Sequence, residues 1–245
     1  MIMIEKNINF QSPEPLYEQV KKALLNFIED NNLSAGTLLP SERELSEIFG
    51  ISRLTVRKAI EELATVGIVF KKTGKGTFVA EPKIQQQLLV VTNFTDAISK
   101  IGHIPGAKII EKEMVFGDPK TCQKMGLSDG AKLFHMKRLR FVDDLPISIQ
   151  SIYLNYELLP GIEDLVENHS LYSVIQDHYK IKLAKTKAVL ESVVADYSCA
   201  NLLWVKPNSP LFIMSGTVSD SMGRVIELFK CYYRGDRMRF ITETG

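Results

Sequence analysis

Hydrophobic residues in the first part of the chain recur at the three- and four-residue spacing of amphipathic helices. The first block has one apolar face, formed by Tyr17, Val20, Ala23, Leu24, Phe27 and Ile28. A second block follows Pro40, and a third begins at Ser52; their apolar positions are Leu45, Ile48 and Phe49, and then Val56, Ala59, Ile60 and Leu63. The pattern predicts three short helices.

Polar residues and glycines at the block boundaries predict where these helices begin and end. Ser41 and Glu44 have the spacing of a capping box, in which each side chain accepts a hydrogen bond from the other residue's backbone. Gly50 can adopt the positive φ that ends a helix, and Gly67 ends the third block. The second and third helices are therefore separated by one glycine-centred turn.

After Gly67 the pattern becomes extended. Residues 68–72 and 77–79 predict two short strands around a turn at 73–76 that is rich in glycine and lysine. Two helices joined by a tight turn and followed by a basic hairpin are typical of a winged helix-turn-helix. Residues 81–87, with Pro82 and three successive glutamines, predict a linker. We therefore expect domains at 1–80 and 88–245.

The remainder of the chain mixes the two periods, which predicts an α+β fold. The expected strands are Ala107–Phe116, Leu133–Val142, Ile147–Leu154, Ala188–Ala195, Leu211–Ser219 and Val225–Arg234. The expected helices are Thr95–Ile101, Pro119–Met125, Leu171–His178 and Tyr197–Leu203.

Two stretches of this second domain echo one another about 77 residues apart. Asp118 and Cys122 precede the strand Leu133-Phe134-His135-Met136, then Asp143 and a strand with Gln150. Asp196 and Cys199 precede Leu211-Phe212-Ile213-Met214, then Asp220 and a strand with Glu227. One interpretation is a strand–helix–hairpin unit used twice in a pseudo-symmetric antiparallel sheet; a chance match of common strand residues is the other.

Composition adds that the basic charge is local. Of 245 residues 45% are hydrophobic and 24% charged, and the net charge is only +1, which is typical of a globular protein. Residues 51–80 nevertheless hold six basic residues (Arg53, Arg57, Lys58, Lys71, Lys72, Lys75) against two acidic ones (Glu61, Glu62). The absence of a long apolar run predicts a cytoplasmic protein with no membrane segment. The spacing of the three cysteines and four histidines predicts neither disulfide, metal site nor cofactor.

The third helix carries the candidate DNA-reading residues. Arg53 and Arg57 are four residues apart and share one face, opposite the apolar positions. Arginine can pair with guanine edges or phosphates. Arg43 can reach a phosphate at the start of the preceding helix, while Lys75 and Gly76 allow close backbone approach at the hairpin tip. A solvated, functionless helix face is the alternative.

Arg138 and Arg140 share one face of a predicted strand with Phe134 and Met136. Two guanidinium groups on an apolar face are costly to bury unless an anion lies between them. The strand therefore favours a phosphate or carboxylate pocket. Edge arginines bonded to Asp143, Asp144 or other surface carboxylates are the alternative.

The first 80 residues resemble the GntR family of bacterial regulators. The resemblance covers Pro15 to Val79 and is carried by Leu39-Pro40-Ser41-Glu42-Arg43-Glu44-Leu45, Ser52-Arg53-Leu54-Thr55-Val56-Arg57-Lys58-Ala59 and Gly74-Lys75-Gly76-Thr77-Phe78-Val79. It implies DNA contacts at Arg43, Arg53, Thr55, Arg57, Lys75 and Gly76.

Residues Leu88 to Glu243 resemble the UTRA ligand-binding domain of the HutC-type GntR subfamily, whose fold is similar to chorismate lyase. The carrying motifs are Asn93-Phe94-Thr95, Gly102-His103-Ile104-Pro105-Gly106, Arg138-Leu139-Arg140-Phe141, Asp144-Leu145-Pro146, Ser170-Leu171-Tyr172 and Tyr233-Arg234-Gly235-Asp236-Arg237. The resemblance implies an effector site at Phe94, Thr95, Arg138, Arg140, Ser170, Tyr172, Glu191, Glu227 and Tyr233. Gln150 departs from the subfamily, where glutamate is frequent, and this argues against an amino-sugar phosphate as effector.

The expected function is a homodimeric repressor that binds a palindromic operator and responds to a small anionic metabolite, with a sugar phosphate favoured. An enzyme on the sheet is one alternative, in which the two arginines hold a carboxylated substrate and Glu191 or Glu227 moves a proton. A winged helix that binds protein rather than DNA is the other. Neither a nucleophile–base pair nor a metal cluster is visible in the sequence to support the enzyme.

Overall fold

The computed structural model describes residue 4 and residues 8–87, 94–167 and 170–242. The chain divides into two compact units, Met1–Ile84 and Gln85–Gly245. The boundary falls inside the segment 81–87 that the composition predicts as a linker. Within the described residues, no helix combines the length and the apolar character needed to cross a membrane.

The first unit contains the three helices that the periodicity predicts. They are α1 (Leu16–Asp30), α2 (Glu42–Phe49) and α3 (Arg53–Thr65). Their apolar faces meet in one core, in which Leu24, Leu45 and Val56 are fully buried. Burial of such side chains contributes about 1.5–3 kcal/mol each, which holds the three short helices together.

The helix ends form as their polar residues predict. Ser41 and Glu44 make the reciprocal hydrogen bonds of a capping box at the start of α2. Gly50 ends that helix in the left-handed region, at φ 67°, where a side chain would be strained. Ser52 accepts a hydrogen bond from the backbone N–H of Thr55 and so caps α3. These contacts set the tight turn between the two helices.

The basic hairpin is also confirmed. Strands β1 (Val69–Lys72) and β2 (Gly76–Val79) pair antiparallel, with Lys72 opposite Gly76. Gly76 has φ 114°, and a Cβ there would lie 2.8 Å from the side chain of Leu38. The positive φ favours glycine at this position, and a Cβ would in addition require the end of the exposed Leu38 side chain to move.

The second unit is built on a six-stranded antiparallel sheet in the order β4-β5-β6-β9-β8-β7. Its strands are β4 (Pro105–Phe116), β5 (Lys132–Val142), β6 (Leu145–Asn155), β7 (Leu183–Val194), β8 (Pro210–Asp220) and β9 (Val225–Arg234). All six predicted strands are present. β7 begins five residues before the predicted start. Three of these five residues, Lys185, Thr186 and Lys187, are polar, so the hydrophobic pattern does not reveal this part of the strand.

Short helices connect the strands. They are α4 (Phe94–Lys100), α5 (Pro119–Met125), α6 (Ile162–Leu165), α7 (Leu171–Ser173) and α8 (Tyr197–Leu203). The predicted helix Leu171–His178 is α-helical only over its first three residues and continues as a π-helical turn over Val174–His178.

The internal echo is a structural repeat. β4, α5, β5 and β6 form one unit and β7, α8, β8 and β9 form the second, with β6 and β9 paired at the centre of the sheet. Asp118 caps α5, and Asp196 caps α8 in the same way. The sheet is therefore pseudo-symmetric.

The predicted linker contains a strand. β3 (Ile84–Gln87) pairs with β10 (Met238–Ile241) in a separate two-stranded sheet. Its run of three glutamines gives no hydrophobic alternation, so the sequence pattern indicates a linker where the tertiary structure forms a strand.

Strand alternation divides the six-stranded sheet into two faces. The outer face packs Leu139, Ile149 and Leu211 against Ala200 and Leu203 of α8. The opposite side, named here the cavity face, carries Arg138, Arg140, Gln150, Met214, Glu227, Phe229, Cys231 and Tyr233. The two faces therefore provide a core on one side and a lined cavity on the other.

Candidate DNA-binding surface and ligand cavity

In the first unit, the start of α2, the start of α3 and the hairpin converge on an open cleft of about 470 Å³, named here the basic cleft. Its lining residues are Ser41, Glu42, Arg43, Arg53, Arg57, Lys71, Lys72, Thr73, Gly74, Gly76 and Thr77. The structure thus brings Arg43, Arg53, Arg57 and Gly76 of the predicted DNA-contacting set together. Five basic side chains face one acidic residue, an arrangement suited to a phosphate backbone.

Glu42 organises the cationic side chains of this cleft. Its carboxylate accepts hydrogen bonds from Nε of Arg57 and from Nζ of Lys71, both at 2.9 Å. Partial burial raises the pKa of Glu42, but the bonds from Lys71 and Arg57 outweigh it, and the pKa is lowered overall. One carboxylate therefore links α2, α3 and β1 and orients two cations toward solvent.

The remaining predicted DNA-contacting residues lie nearby. Thr55 is half-buried and its hydroxyl is 2.9 Å from that of Ser52 at the start of α3. Lys75 is exposed in the hairpin turn. Leu54, on the first turn of α3, is 73% exposed. An apolar side chain that faces solvent at this position is suited to contact with a thymine methyl group.

In the second unit, a cavity of about 90 Å³ lies on the cavity face. Its lining residues are Gln86, Gln87, Phe94, Arg138, Arg140, Gln150, Ser170, Leu171, Tyr172, Thr186, Met214, Val218, Glu227, Phe229, Cys231 and Tyr233. Seven residues of the predicted effector site are among them. Thr95 is joined to the same group through Arg140, because its Oγ1 accepts a hydrogen bond from Nη2 of Arg140 at 3.0 Å.

Arg138 and Arg140 are the cationic centre of this cavity. They lie on β5, a strand covered on both sides by β4 and β6, and are only 9% and 4% exposed. Arg138 donates from Nε to Oε1 of Gln150 at 2.8 Å, and the guanidinium of Arg140 lies 4.4 Å from the ring centroid of Phe94. Among the described residues, Nε of Arg140 has no hydrogen-bond partner.

Burial disfavours the charged forms of Arg138 and Arg140. Burial, followed by the charge of Arg138, lowers the pKa of Arg140 to about 9. Burial also lowers the pKa of Arg138, although the negative charge of Glu227 opposes that shift. An anion in the cavity would offset both effects.

The sequence left open that surface aspartates neutralise Arg138 and Arg140. Asp143 does not do so, because its carboxylate has other partners. Its carboxylate is 2.5 Å from Nδ1 of His103 and accepts a hydrogen bond from the backbone N–H of Ile104. Both arginines lie on an interior strand rather than an edge strand.

Glu227 supplies the negative charge of the cavity. It is 5% exposed and accepts a 2.8 Å hydrogen bond from the hydroxyl of Tyr172. Burial raises the pKa of Glu227, although Tyr172 and Arg138 both oppose the shift. Burial likewise raises the pKa of the Cys231 thiol to about 12, so that Cys231 is a neutral lining group. Among the described lining residues, two guanidinium groups thus face one carboxylate.

Glu191 is not brought into this cavity. It lies opposite Ile213 on the β7–β8 pair, one residue out of phase with Leu190 and Met214, which face the cavity side. Because neighbouring residues of a strand point to opposite faces, the exposed Glu191 lies on the outer face. Asn93, which belongs to one of the resemblance motifs, and His169, which precedes another, lie outside the described residues.

Gln86 and Gln87 are cavity residues that the sequence did not indicate. They belong to β3, whose run of glutamines lacks the hydrophobic alternation of a strand and therefore indicates a linker. Gln86 has a buried Oε1 atom without a hydrogen-bond partner among the described residues. The only available signal was the unusual uniformity of the glutamine run.

Comparison with known proteins assigns both units. Residues 16–79 match the model described as bacterial regulatory proteins, gntR family, and residues 100–239 match the model of the UTRA domain. The chain belongs to the GntR family. This GntR-family protein pairs its two domains as the sequence resemblance implied, and the pairing is consistent with the HutC-type subfamily.

Relatives of this GntR-family protein match along almost its whole length. The HTH-type transcriptional repressor NagR of Bacillus subtilis (strain 168) is 33% identical, covering 96% of this chain and 97% of the repressor. The probable fructoselysine utilization operon transcriptional repressor of Escherichia coli (strain K12) is 30% identical over 93% of each protein. The crystal structure of PhnF from Mycobacterium smegmatis has a TM-score of 0.67 and 27% identity, covering 92% of this chain and 99% of PhnF.

These findings establish the coarse function. This GntR-family protein is a transcriptional repressor with an effector-binding UTRA domain, and it is not an enzyme. The expectation of a transcriptional regulator is confirmed over the enzyme.

Proposed function

We propose that the cavity of the UTRA domain binds a small anionic metabolite, with a phosphorylated sugar favoured, and that this ligand modulates operator binding. The observation that carries the proposal is the pair of buried guanidinium groups, Arg138 and Arg140, which face a single carboxylate, that of Glu227, among the described residues that line the cavity. A buried excess of positive charge is stabilised most by a ligand that brings negative charge.

The anion would lie on the Arg140 side of the cavity. The Oγ1 of Thr95 contacts Arg140 at 3.0 Å, and Ser170 also lines the wall without using its side chain as a helix cap. Hydroxyl groups and guanidinium forks together are the usual partners of phosphate oxygens. This arrangement favours a phosphate ester over a single carboxylate.

The polar body of the ligand would meet Glu227, Tyr172 and Tyr233. Gln150 supports a ligand without an ammonium group, because its amide is neutral and its Oε1 already accepts the bond from Arg138. We therefore favour a neutral polyhydroxylated body that carries one phosphate.

Operator recognition would use the basic cleft, with Arg53, Thr55 and Arg57 of α3 in the major groove and Lys75 and Gly76 near the sugar-phosphate edge. Arg43 would contact a phosphate. One such helix reads few base pairs, so we propose a homodimer on a palindromic operator. The ligand can alter this binding only to the extent that it binds the DNA-bound and free forms with different affinity.

The test is calorimetric titration of purified full-length protein with glucose 6-phosphate, glucose and inorganic phosphate. Binding of glucose 6-phosphate that weakens at least tenfold in Arg138→Ala and Arg140→Ala is expected. Arg224→Ala is the matched control, since Arg224 pairs with Asp220 at the turn between β8 and β9. Equal binding by wild type and both variants would refute the anion site.

A further inference from the structure

The outer face of the sheet holds a second group of chemically versatile side chains, opposite the cavity face. Glu111, Glu113 and His135 place one potential ligand atom each within 4.8 Å of one another. The two glutamates are exposed and His135 is 8% exposed. The cluster is therefore reachable from solvent but has a fixed, buried imidazole at its base.

A β-bulge creates this arrangement. Ile109 lies opposite Arg138, but the register shifts after it, and Glu111 lies opposite Lys137 and Glu113 opposite His135. Strict alternation from Ile109 would turn both glutamates toward the cavity face, because residues two apart share a face. The extra residue, Ile110, instead turns them to the outer face. Bulges commonly re-aim side chains in this way.

Neighbouring side chains contact both ring nitrogens of His135 and one face of its imidazole, and these contacts fix the orientation of the ring. Its Nε2 is 3.0 Å from Oγ of Ser151, and its ring stacks on Tyr153 with centroids 4.5 Å apart. Its Nδ1 faces the carboxylate of Glu113 at 3.4 Å. A hydrogen bond at one ring nitrogen that leaves the other for a metal is the usual outer-shell arrangement of a histidine ligand.

Negative charge concentrates around the cluster. Burial, followed by the charges of Asp118, Glu113 and Glu111, raises the pKa of Tyr153. Lys137 lies opposite Glu111, but it forms no ion pair with Glu111 in the described part of the chain and acts electrostatically on Asp196 and Cys199. Two carboxylates on one face of a strand place like charges side by side, and a bound cation would offset their repulsion.

We propose that Glu111, Glu113 and His135 form a binding site for a divalent transition-metal ion such as Zn²⁺. The donors are two carboxylate oxygens and one imidazole nitrogen, and water completes the coordination on the exposed side. The 3.4 Å separation of Nδ1 and the Glu113 oxygen suits two ligands of one ion with bonds of about 2.0–2.2 Å. The nitrogen donor selects against Mg²⁺, which prefers oxygen ligands.

Bound metal would clamp edge strand β4 to β5 at the bulge. The site is separate from the cavity face, so this proposal does not depend on the identity of the effector. Ser151 is a positioning residue, since it contacts His135 rather than the ion.

The test is titration of chelator-treated full-length protein with Zn²⁺ and with Mg²⁺, followed by calorimetry and metal analysis after dialysis. We expect one Zn²⁺ per chain and weaker binding of Mg²⁺. Glu111→Gln with Glu113→Gln should weaken Zn²⁺ binding at least as much as the roughly 10- to 100-fold that loss of an outer-shell partner costs. Both glutamates are exposed, so this double variant should fold.

His135→Gln should lose Zn²⁺ to the same degree, while His103→Gln is the matched control, because His103 pairs with one carboxylate, Asp143, rather than two. Cobalt substitution gives an independent readout, with a spectrum that lacks thiolate charge-transfer bands. Zn²⁺ retained at full affinity by the double glutamate variant, no Zn²⁺ bound by the wild type, or a thiolate band from the cysteines would each overturn the proposal.

Discussion

Arg140 donates a hydrogen bond from Nη2 to Oγ1 of Thr95 over 3.0 Å, and this contact ties α4 to the central sheet. The bond satisfies part of the Arg140 guanidinium, which is buried and forms no ion pair with a carboxylate in the described part of the chain. Because the same two groups are expected to contact the anion, the stability of the unliganded protein and its ligand affinity are linked at this point.

Thr95→Val should therefore weaken both properties. Loss of the acceptor leaves Nη2 of Arg140 unpaired in a buried site, which costs about 1–3 kcal/mol in unfolding free energy. Urea denaturation measures the first effect and calorimetry with glucose 6-phosphate the second. Thr186→Val is the control, since Thr186 lines the cavity without bonding to Arg140; an equal loss in both variants would contradict the role of the hydrogen bond.

Glu227→Gln should stabilise the unliganded protein near pH 7. Burial raises the folded-state pKa of Glu227 above its unfolded value, so the ionised form disfavours folding once the pH exceeds the unfolded pKa of about 4.3. The glutamine mimics the protonated carboxyl and can still accept from Tyr172. The midpoint temperature of the variant should exceed that of the wild type at pH 7, and the difference should shrink as the pH falls toward 4.

Asp220→Asn should show the opposite dependence. Burial raises the pKa of Asp220, but hydrogen bonds from Arg224 and from the turn outweigh it, and the pKa is lowered. The ionised carboxylate thus contributes stability above an unfolded pKa of about 3.9, and this contribution is lost as the pH falls through the folded pKa. Thermal unfolding from pH 7 to pH 3 should show a deficit in the variant that shrinks as the pH falls below about 3.9. A deficit of the same size at pH 7 and at pH 3 would contradict the assignment.

Arg57→Ala should reduce DNA affinity and its salt dependence. If Arg57 contacts a phosphate, the slope of log affinity against log salt should fall by about 1. Fluorescence anisotropy with duplexes obtained by binding selection, measured from about 50 to 200 mM salt, gives both quantities. Lys22→Ala is the control, since Lys22 is an exposed cation of α1 outside the basic cleft. Unchanged slopes in the Arg57 variant would contradict DNA contact there.

Gln86→Ala should change ligand affinity while Gln85→Ala should not. Gln86 lines the cavity and has a buried Oε1 without a partner among the described residues, whereas neighbouring Gln85 is exposed and outside the lining. Titration with glucose 6-phosphate and with inorganic phosphate separates contact with the sugar from contact with the phosphate. Identical affinities in the two glutamine variants would show that β3 takes no part in binding.

The first unit could be predicted almost completely from the sequence, because its information is local. Capping by Ser41, the left-handed turn at Gly50 and the helical spacing of Val56, Ala59 and Ile60 each depend on residues a few positions apart. The contacts of Glu42 with Arg57 and Lys71 could not be predicted in this way, since they join residues 15 and 29 positions apart.

In the second unit, alternation along β5 predicted the shared face of Arg138 and Arg140 correctly. Alternation alone could not exclude Glu191 from the cavity, because the face on which Glu191 lies depends on the register between β7 and β8. Nor could alternation place Glu111 and Glu113 beside His135, because one bulge reverses the phase of β4.

The sequence by itself determined the three helices of the first unit, the six strands of the large sheet and the location of the charged side chains along the chain, and it indicated the internal repeat. Local backbone preferences and hydrophobic periodicity suffice for these features, because each depends on neighbours within a few residues. Only the tertiary structure decided that Gln86 and Gln87 form a strand beside the cavity and which carboxylates meet which cations. Those outcomes depend on strand order, register and the bulge, through which residues far apart in sequence come into contact.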